Sequence, residues 1–190
     1  MKRSTIDKVI SSMGVLLAIA LLAGAGGLYF TYTFIHDQVS SQLSSQKISF
    51  PEKNSTSFTS LPDADRKAVE PYAGQRVTTG AQAAAFANNY IAVHINQIGG
   101  GKTYSELSEA SRANPSDTAL AGKVNTVFKG ETLRGILLNA YAFDTMAIVA
   151  KFAAIGATIA GIVLLVLSFL GFQHAKVAAK TPARKAAKKR

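Results

Sequence analysis

Two long apolar runs, one near each end of the chain, dominate the pattern of hydrophobic and polar positions. The first covers residues 9–35, and the second covers residues 152–172 with a softer lead-in from Thr145. Neither run contains a charged residue, and about 20 apolar residues of helix are enough to cross the hydrocarbon core of a bilayer. The pattern therefore predicts two transmembrane helices, at residues 9–35 and 145–172.

The segment between the runs begins with a polar stretch, residues 36–75. Val39 and Leu43 continue the spacing of Ile35, so the first helix is expected to extend a turn or two past the apolar run. Eight serines between Ser40 and Ser60 and three prolines follow within this stretch. We expect the rest of it to be a linker that lies over the surface.

Helical signals return in residues 76–144, which we interpret as a small helical cap. Thr79 and Gln82 form a capping box, in which the Thr hydroxyl accepts the amide of the third helical residue and the Gln side chain reaches back. This box is expected to open a helix that runs to Ile98 and ends at the three glycines that follow it.

Three further helices are predicted before the second run. Thr103 opens a short one with a second capping box, and Pro115 prevents its continuation. Ser116 or Asp117 then caps a third helix, which Gly130 is expected to end. The fourth helix would start at the next residue. We expect its apolar side to cover the other cap helices rather than to lie on the outer leaflet.

The distribution of charge predicts the orientation in the membrane. The formal net charge is +10, but residues 36–144 carry ten basic and ten acidic residues and contribute none of it. Apart from Lys151, the excess lies in residues 1–8 and in the tail 173–190, which has seven basic residues and no acidic one. Because basic residues that flank spans stay in the cytoplasm, both termini are expected inside and residues 36–144 outside. The predicted fold class is an all-α membrane protein with two transmembrane helices and a small extracytoplasmic helical cap.

The first run could instead be a cleaved signal peptide. It has a basic start and an Ala23-Gly24-Ala25 triplet that fits a cleavage site. The run continues to Ile35, however, and ends in aromatic residues of the kind found at membrane interfaces. We therefore expect it to be retained as an anchor. The chain has no cysteine, so neither disulfides nor thiolate metal ligands are available to it.

Small residues recur at four-residue spacing in both spans. Such residues lie on one face of a helix and allow backbones to approach closely. They predict a packing seam, either within the chain or between copies of it, at Ala20, Gly24, Ala23, Gly27, Ala153, Ala157 and Gly161.

Candidate catalytic chemistry is sparse. The Gly-Gly-Gly-Lys-Thr sequence at 99–103 resembles part of a phosphate-binding loop, but the required glycine is replaced by Asn96 and no strand is predicted before it. His36, His94 and His174 are too far apart in sequence to suggest a metal site. We expect no cofactor, no metal and no enzymatic activity.

The tail is the strongest electrostatic feature. It either fixes the topology alone or also contacts anionic lipid, while nucleic acid is the least favoured partner. The residues expected to contact anionic lipid are Lys176, Lys180, Arg184, Lys185, Lys188, Lys189 and Arg190.

Several stretches of the chain resemble an uncharacterised family of two-span membrane proteins in actinobacteria. They are Ile48-Ser49-Phe50-Pro51, Tyr72-Ala73-Gly74-Gln75, the helix 82–94, the segment 101–105 and, most specifically, residues 129–143. The resemblance covers residues 10–173 and implies a bacterial plasma membrane. It implies no activity, so no functional residue is carried over from it.

The favoured function is that of an accessory or structural component of the cell envelope that acts through protein contacts. Its expected partners are the lipid bilayer and another membrane protein or a second copy of itself. One alternative is a small pore or holin-like protein, which two spans and a basic tail would fit. Another is a membrane tether whose tail binds lipid or nucleic acid.

Overall fold

The structure, a computed structural model, describes residues 3–180, with Lys180 described by its backbone alone. The helices in chain order are α1 Arg3–Ser45, α2 Thr56–Thr59, α3 Asp63–Val69, a 3₁₀ turn Glu70–Tyr72, α4 Gly80–Phe86, a π-helical turn Ala87–Ile91, α5 Ala92–Gly99, α6 Tyr104–Ala113 and α7 Thr118–Lys180. No strand forms among these residues, so the all-helical class is confirmed. Both α1 and α7 are long and apolar enough to cross a membrane.

The chain divides into two compact units. The terminal unit contains Met1–Tyr32 and Ile148–Arg190, and the central unit contains Thr33–Ala147. Helices α1 and α7 contribute residues to both units, while the shorter helices belong to the central unit alone.

Small side chains form the seam between α1 and α7 in the terminal unit. The buried positions repeat every seven residues, at Ser11, Ala18 and Ala25 on α1 and at Ala154, Gly161, Ser168 and Ala175 on α7. The helices run antiparallel, because Ser11 lies against Gly171 and Ser168 lies against Gly14. A Cβ on either glycine would overlap the serine hydroxyl that faces it. The seven-residue period is that of two helices wound in a left-handed supercoil.

The small residues predicted to pack at four-residue spacing lie mostly outside this seam. Gly161 belongs to it, since a Cβ there would lie 2.9 Å from Leu22 Cγ, and Ala157 is half-buried. The others face away from the seam: Ala20, Ala23, Gly24, Gly27 and Ala153. These five positions are exposed and lie outside the seam between the two helices. A contact between copies there stays a prediction.

Lys151 interrupts the apolar surface of α7 in the terminal unit. Its Nζ lies 5.1 Å from the centroid of the Tyr32 ring on α1. A cation over an aromatic face is stabilised by the negative charge of the ring surface. This contact gives Lys151 a structural partner.

Helix α4, the π-helical turn and helix α5 form the centre of the core in the central unit. Their buried apolar side chains are Ala83, Phe86, Ala87, Ile91 and Ile95. Val39 and Leu43 from α1 join the same cluster, which confirms that α1 continues past the apolar run. Leu137 from α7 is fully buried in it, so residues 131–143 do cover the other helices of this unit.

The stretch predicted to be a surface linker is instead part of the core. Between residues 46 and 75 it forms α2, α3 and the 3₁₀ turn, and it buries Phe50, Phe58, Leu61 and Val69. The Phe50 ring meets the Phe86 ring edge-on, with centroids 5.1 Å apart. The prediction missed this contribution because the buried residues have no regular spacing, so no helical or strand period reveals them.

Gly130 does not end a helix. Helix α7 runs through it without interruption, so the third and fourth predicted helices and the second apolar run form one element. A Cβ on Gly130 would overlap Cγ2 of Ile95, and Ile91 lies close by. Gly130 therefore allows α7 to approach α5 closely. This close contact accounts for a glycine in mid-helix, where its helix propensity is poor.

Candidate functional site

Asp144 on α7 is the most buried ionisable side chain of the central unit, with 4% of its surface exposed. Its Oδ1 lies 2.8 Å from His36 Nδ1 on α1, and its Oδ2 accepts a 3.0 Å hydrogen bond from the amide of Gly80, the first residue of α4. Both carboxylate oxygens are thus engaged, and the side chain connects three helices. A buried carboxylate is tolerated only with such partners.

The local sequence around Thr79 places the Gly80 amide where Asp144 can use it. Thr79 Oγ1 accepts from the Gln82 amide at 3.2 Å, and Gln82 Oε1 accepts from the Thr79 amide at 3.2 Å, as the predicted capping box requires. The Gly80 amide points out of the helix end, where a negative charge is favoured. A Cβ on Gly80 would lie 2.5 Å from Asp144 Cβ, so only glycine allows this approach.

No sequence pattern assigns a role to Asp144 or gives His36 a partner. Their partners lie far away in sequence, at separations of 108 and 64 residues. One signal could have indicated Asp144: it is the last acidic residue in the chain, directly before the second predicted span. Acidic residues at the edge of a long apolar helix are rare and usually paired.

A groove of about 390 Å³ lies between α1 and α7 within the central unit. Its floor and walls are apolar and come from both helices: Ile35, Val39, Leu43, Ile136, Ala140 and Phe143. Ile136 is 50% exposed and Phe143 is 56% exposed, although both are large apolar side chains. Exposed apolar surface that is concentrated in a groove is typical of a binding surface.

Four carboxamide side chains line the same groove. Gln38 and Gln42 stand one helical turn apart on α1, Gln46 lies in the turn that follows this helix, and Asn139 lies on α7. None of the four amides forms a side-chain hydrogen bond to another residue of the described chain. No Asp, Glu, Lys, Arg or His is among the lining residues. The groove therefore offers an apolar surface with neutral donors and acceptors along it.

The Gly-Gly-Gly-Lys-Thr segment joins α5 to α6 as a plain connection. Gly100 and Gly101 have φ values of 62° and 79°, in the left-handed region that glycine adopts without strain. Thr103 then opens α6: its amide and its hydroxyl donate to Glu106 Oε2 at 2.7 and 2.8 Å. These two hydrogen bonds from Thr103 lower the pKa of the Glu106 carboxyl, and the nearby Lys102 adds to the effect.

The remaining histidines also have hydrogen-bonding partners. His94 Nδ1 lies 2.8 Å from the carbonyl oxygen of Tyr90, one turn earlier on the helix. His174 Nδ1 lies 3.0 Å from Asp7 Oδ2, which links the ends of α7 and α1 in the terminal unit. Within residues 3–180, no group of three or more potential metal-ligating side chains comes together.

Of the basic residues expected to contact lipid, the structure describes the side chain of Lys176, which is exposed. Lys180 is described by its backbone as the last residue of α7. The other five lie outside the described residues: Arg184, Lys185, Lys188, Lys189 and Arg190.

Comparison with known proteins adds no relative: no protein-family model, no curated protein and no solved structure matches this chain.

Proposed function

We propose that this chain is an integral membrane protein of a bacterial cell envelope, with transmembrane helices at residues 9–35 and 145–172. Both termini lie in the cytoplasm, and residues 36–144 form a helical cap on the outer side. The protein acts without catalysis, as an accessory or structural component that makes contacts with other membrane proteins or with copies of itself.

The outward direction of large apolar side chains in the terminal unit carries this proposal. Ile10, Leu16, Phe152 and Phe169 are 63%, 68%, 66% and 62% exposed, whereas the seam between the helices buries mainly Ala, Gly and Ser. Each large apolar side chain left in water forgoes about 1.5–3 kcal/mol, and a bilayer removes that cost. Only 17% of the most apolar window of each helix is buried, which is far below what a core helix of a soluble protein would show.

The orientation rests on charge. The segment between the two spans has equal numbers of basic and acidic residues, whereas the tail has seven basic residues and no acidic one. Basic segments next to a span are retained in the cytoplasm. In that position each basic residue of the tail adds about 1 kcal/mol of attraction to an anionic leaflet.

A contact function suits the groups that the central unit offers. The buried carboxylate of Asp144 uses both of its oxygens to hold helices together. The groove, by contrast, presents apolar surface and neutral amides with no ionisable side chain. General acid–base and metal-assisted reactions need titratable groups in the cleft, whereas protein contacts need apolar surface.

Membrane fractionation and reporter fusions test the proposal together. The full chain should stay in the membrane pellet after alkaline carbonate extraction. A reporter that is active only outside the cytoplasm should be active when fused after Gly80, Gly101 or Gly130, and inactive when fused after Arg190. Release of the protein by carbonate would contradict the proposal. So would a reporter that is inactive after all three of Gly80, Gly101 and Gly130.

A further inference from the structure

The groove between α1 and α7 in the central unit leaves apolar side chains without a cover. Ile136 and Phe143 on α7 line this groove and are 50% and 56% exposed. Each of these side chains recovers about 1.5–3 kcal/mol when it is buried, so an occupant of the groove has a sizeable driving force.

The polar groups of the groove restrict what that occupant is. Carboxamides are the only side chains here that could hydrogen-bond it, and an amide both donates and accepts. An amide can therefore pair with an identical amide, which neither a carboxylate nor an ammonium group can do. The absence of charged side chains from the lining also removes like-charge repulsion between identical surfaces.

Membrane insertion fixes how two copies would meet, and here the inference rests on the proposed function. Copies inserted by the same topology rule have the same orientation, so a two-fold axis between them runs along the membrane normal. The α1 helices of the two copies are then parallel, and each residue near the axis faces its own counterpart. Asn–Asn pairs specify parallel coiled-coil dimers for the same reason.

We propose that this groove is a homodimer interface in which Gln38, Gln42 and Gln46 of one copy pair with the same residues of the second copy. Gln38 and Gln42 are one helical turn apart on α1, about 6 Å along its axis at 1.5 Å per residue, and Gln46 follows in the turn after the helix end. Ile136 and Phe143 of each copy are covered by the groove of the other.

Cysteine crosslinking of the full chain in native membranes tests the pairing directly. The natural chain has no cysteine, so Gln38→Cys, Gln42→Cys and Gln46→Cys each introduce a single thiol. A disulfide needs Cα atoms about 4.4–6.8 Å apart, a distance that only facing residues satisfy. Mild oxidation should convert the three variants to covalent dimers. Ser41→Cys, which is exposed on the same helix but does not line the groove, is the matched control and should stay monomeric.

A charge placed in the groove gives an independent measurement. Ile136→Glu would set two carboxylates against each other across the interface, and dimerisation in mild detergent should weaken at least about tenfold, because like charges at an interface repel strongly. Ile98→Glu is the matched control, since Ile98 is an exposed isoleucine of the same unit outside the groove. It should leave the dimer intact, as measured by light scattering or native mass spectrometry.

The outcomes separate the dimer from the membrane topology. Equal crosslinking of Gln42→Cys and Ser41→Cys would overturn the dimer. So would an oligomeric state that is the same with and without Ile136→Glu. In either case, a protein that stays in the carbonate-extracted pellet would still support membrane insertion. Crosslinking of the groove cysteines to a different protein, or a lipid that co-purifies and is lost in Ile136→Glu without a dimer, would overturn the dimer equally. Loss of the protein from the pellet would overturn the proposed function itself.

Discussion

Asp144 Oδ2 accepts the amide hydrogen of Gly80 at 3.0 Å, so a carboxylate in the interior of the long helix α7 holds the first turn of the short helix α4, 64 residues earlier in the chain. The same side chain contacts His36 through its other oxygen. One buried residue thus connects α1, α4 and α7 in the central unit.

Removing this carboxylate should destabilise the central unit. Asp144→Ala leaves the Gly80 amide buried without an acceptor, which costs about 1–3 kcal/mol. The thermal unfolding midpoint of the full chain in mild detergent should fall. Asp37→Ala, which removes an exposed carboxylate next to His36, should leave the midpoint unchanged. Equal midpoints for the two variants would show that the Asp144 contacts contribute nothing to stability.

Alanine substitutions at Gly130 and at Gly122, both within α7, should change the free energy of unfolding in opposite directions. Gly130→Ala drives a methyl group into Cγ2 of Ile95, and a β-branched side chain has little freedom to rotate away. We expect a loss of about 1–3 kcal/mol from overpacking. Gly122→Ala meets no atom within 4 Å and should gain about 0.5–1 kcal/mol from improved helix propensity. A stabilising Gly130→Ala would contradict the close approach of α7 to α5.

Leucine substitutions at Gly161 and at Gly156 should have different effects on the distance between α1 and α7 in the terminal unit. A Cβ on Gly161 would lie 2.9 Å from Leu22 Cγ and 3.3 Å from the carbonyl oxygen of Ala18, so Gly161→Leu should force the two helices apart. Gly156→Leu adds the same side chain at a position with nothing within 4 Å and should be tolerated. Cysteines placed at the exposed positions Ile19 and Ala160 report the separation of the two helices by spin-label distances. Unchanged distances in Gly161→Leu would refute the seven-residue seam.

Glu106 should make the start of α6 sensitive to acid. Hydrogen bonds from the Thr103 amide and hydroxyl lower its pKa, so the folded state favours the carboxylate form. A lowered pKa means that the stabilisation is present above the unfolded-state pKa and is lost as the pH falls through the folded-state pKa. After correction for intrinsic exchange rates, the protection of the Thr103 amide hydrogen should therefore fall on acidification.

Glu106→Gln is the matched variant for this test, because an amide oxygen can accept the same hydrogen bonds without titrating. Exchange at Thr103 in this variant should lose that pH dependence, after correction for intrinsic exchange rates. An identical pH profile in the two proteins would show that another group causes the effect.

The sequence predicts the parts of this fold that local chemistry determines. Both capping boxes, at Thr79 and Thr103, form as expected because their hydrogen bonds join residues three apart. The same local reasoning misassigned Gly130 as a helix end, since its reason for being glycine is Ile95 on another helix. The role of Asp144 was not predicted for the same reason, because its partners are remote in sequence. The groove requires two helices in register, and no single stretch of the chain shows it.

Site-directed thiol labelling in intact cells is the most direct test of the two-span topology on which the proposed function depends. Ser116→Cys lies between the spans, at an exposed position, and Thr181→Cys follows the second span. A membrane-impermeant maleimide should label Ser116→Cys in intact cells and should label Thr181→Cys only after the membrane is permeabilised. Labelling of Thr181→Cys in intact cells, or protection of Ser116→Cys until permeabilisation, would contradict the proposed placement of residues 36–144 outside the cytoplasm.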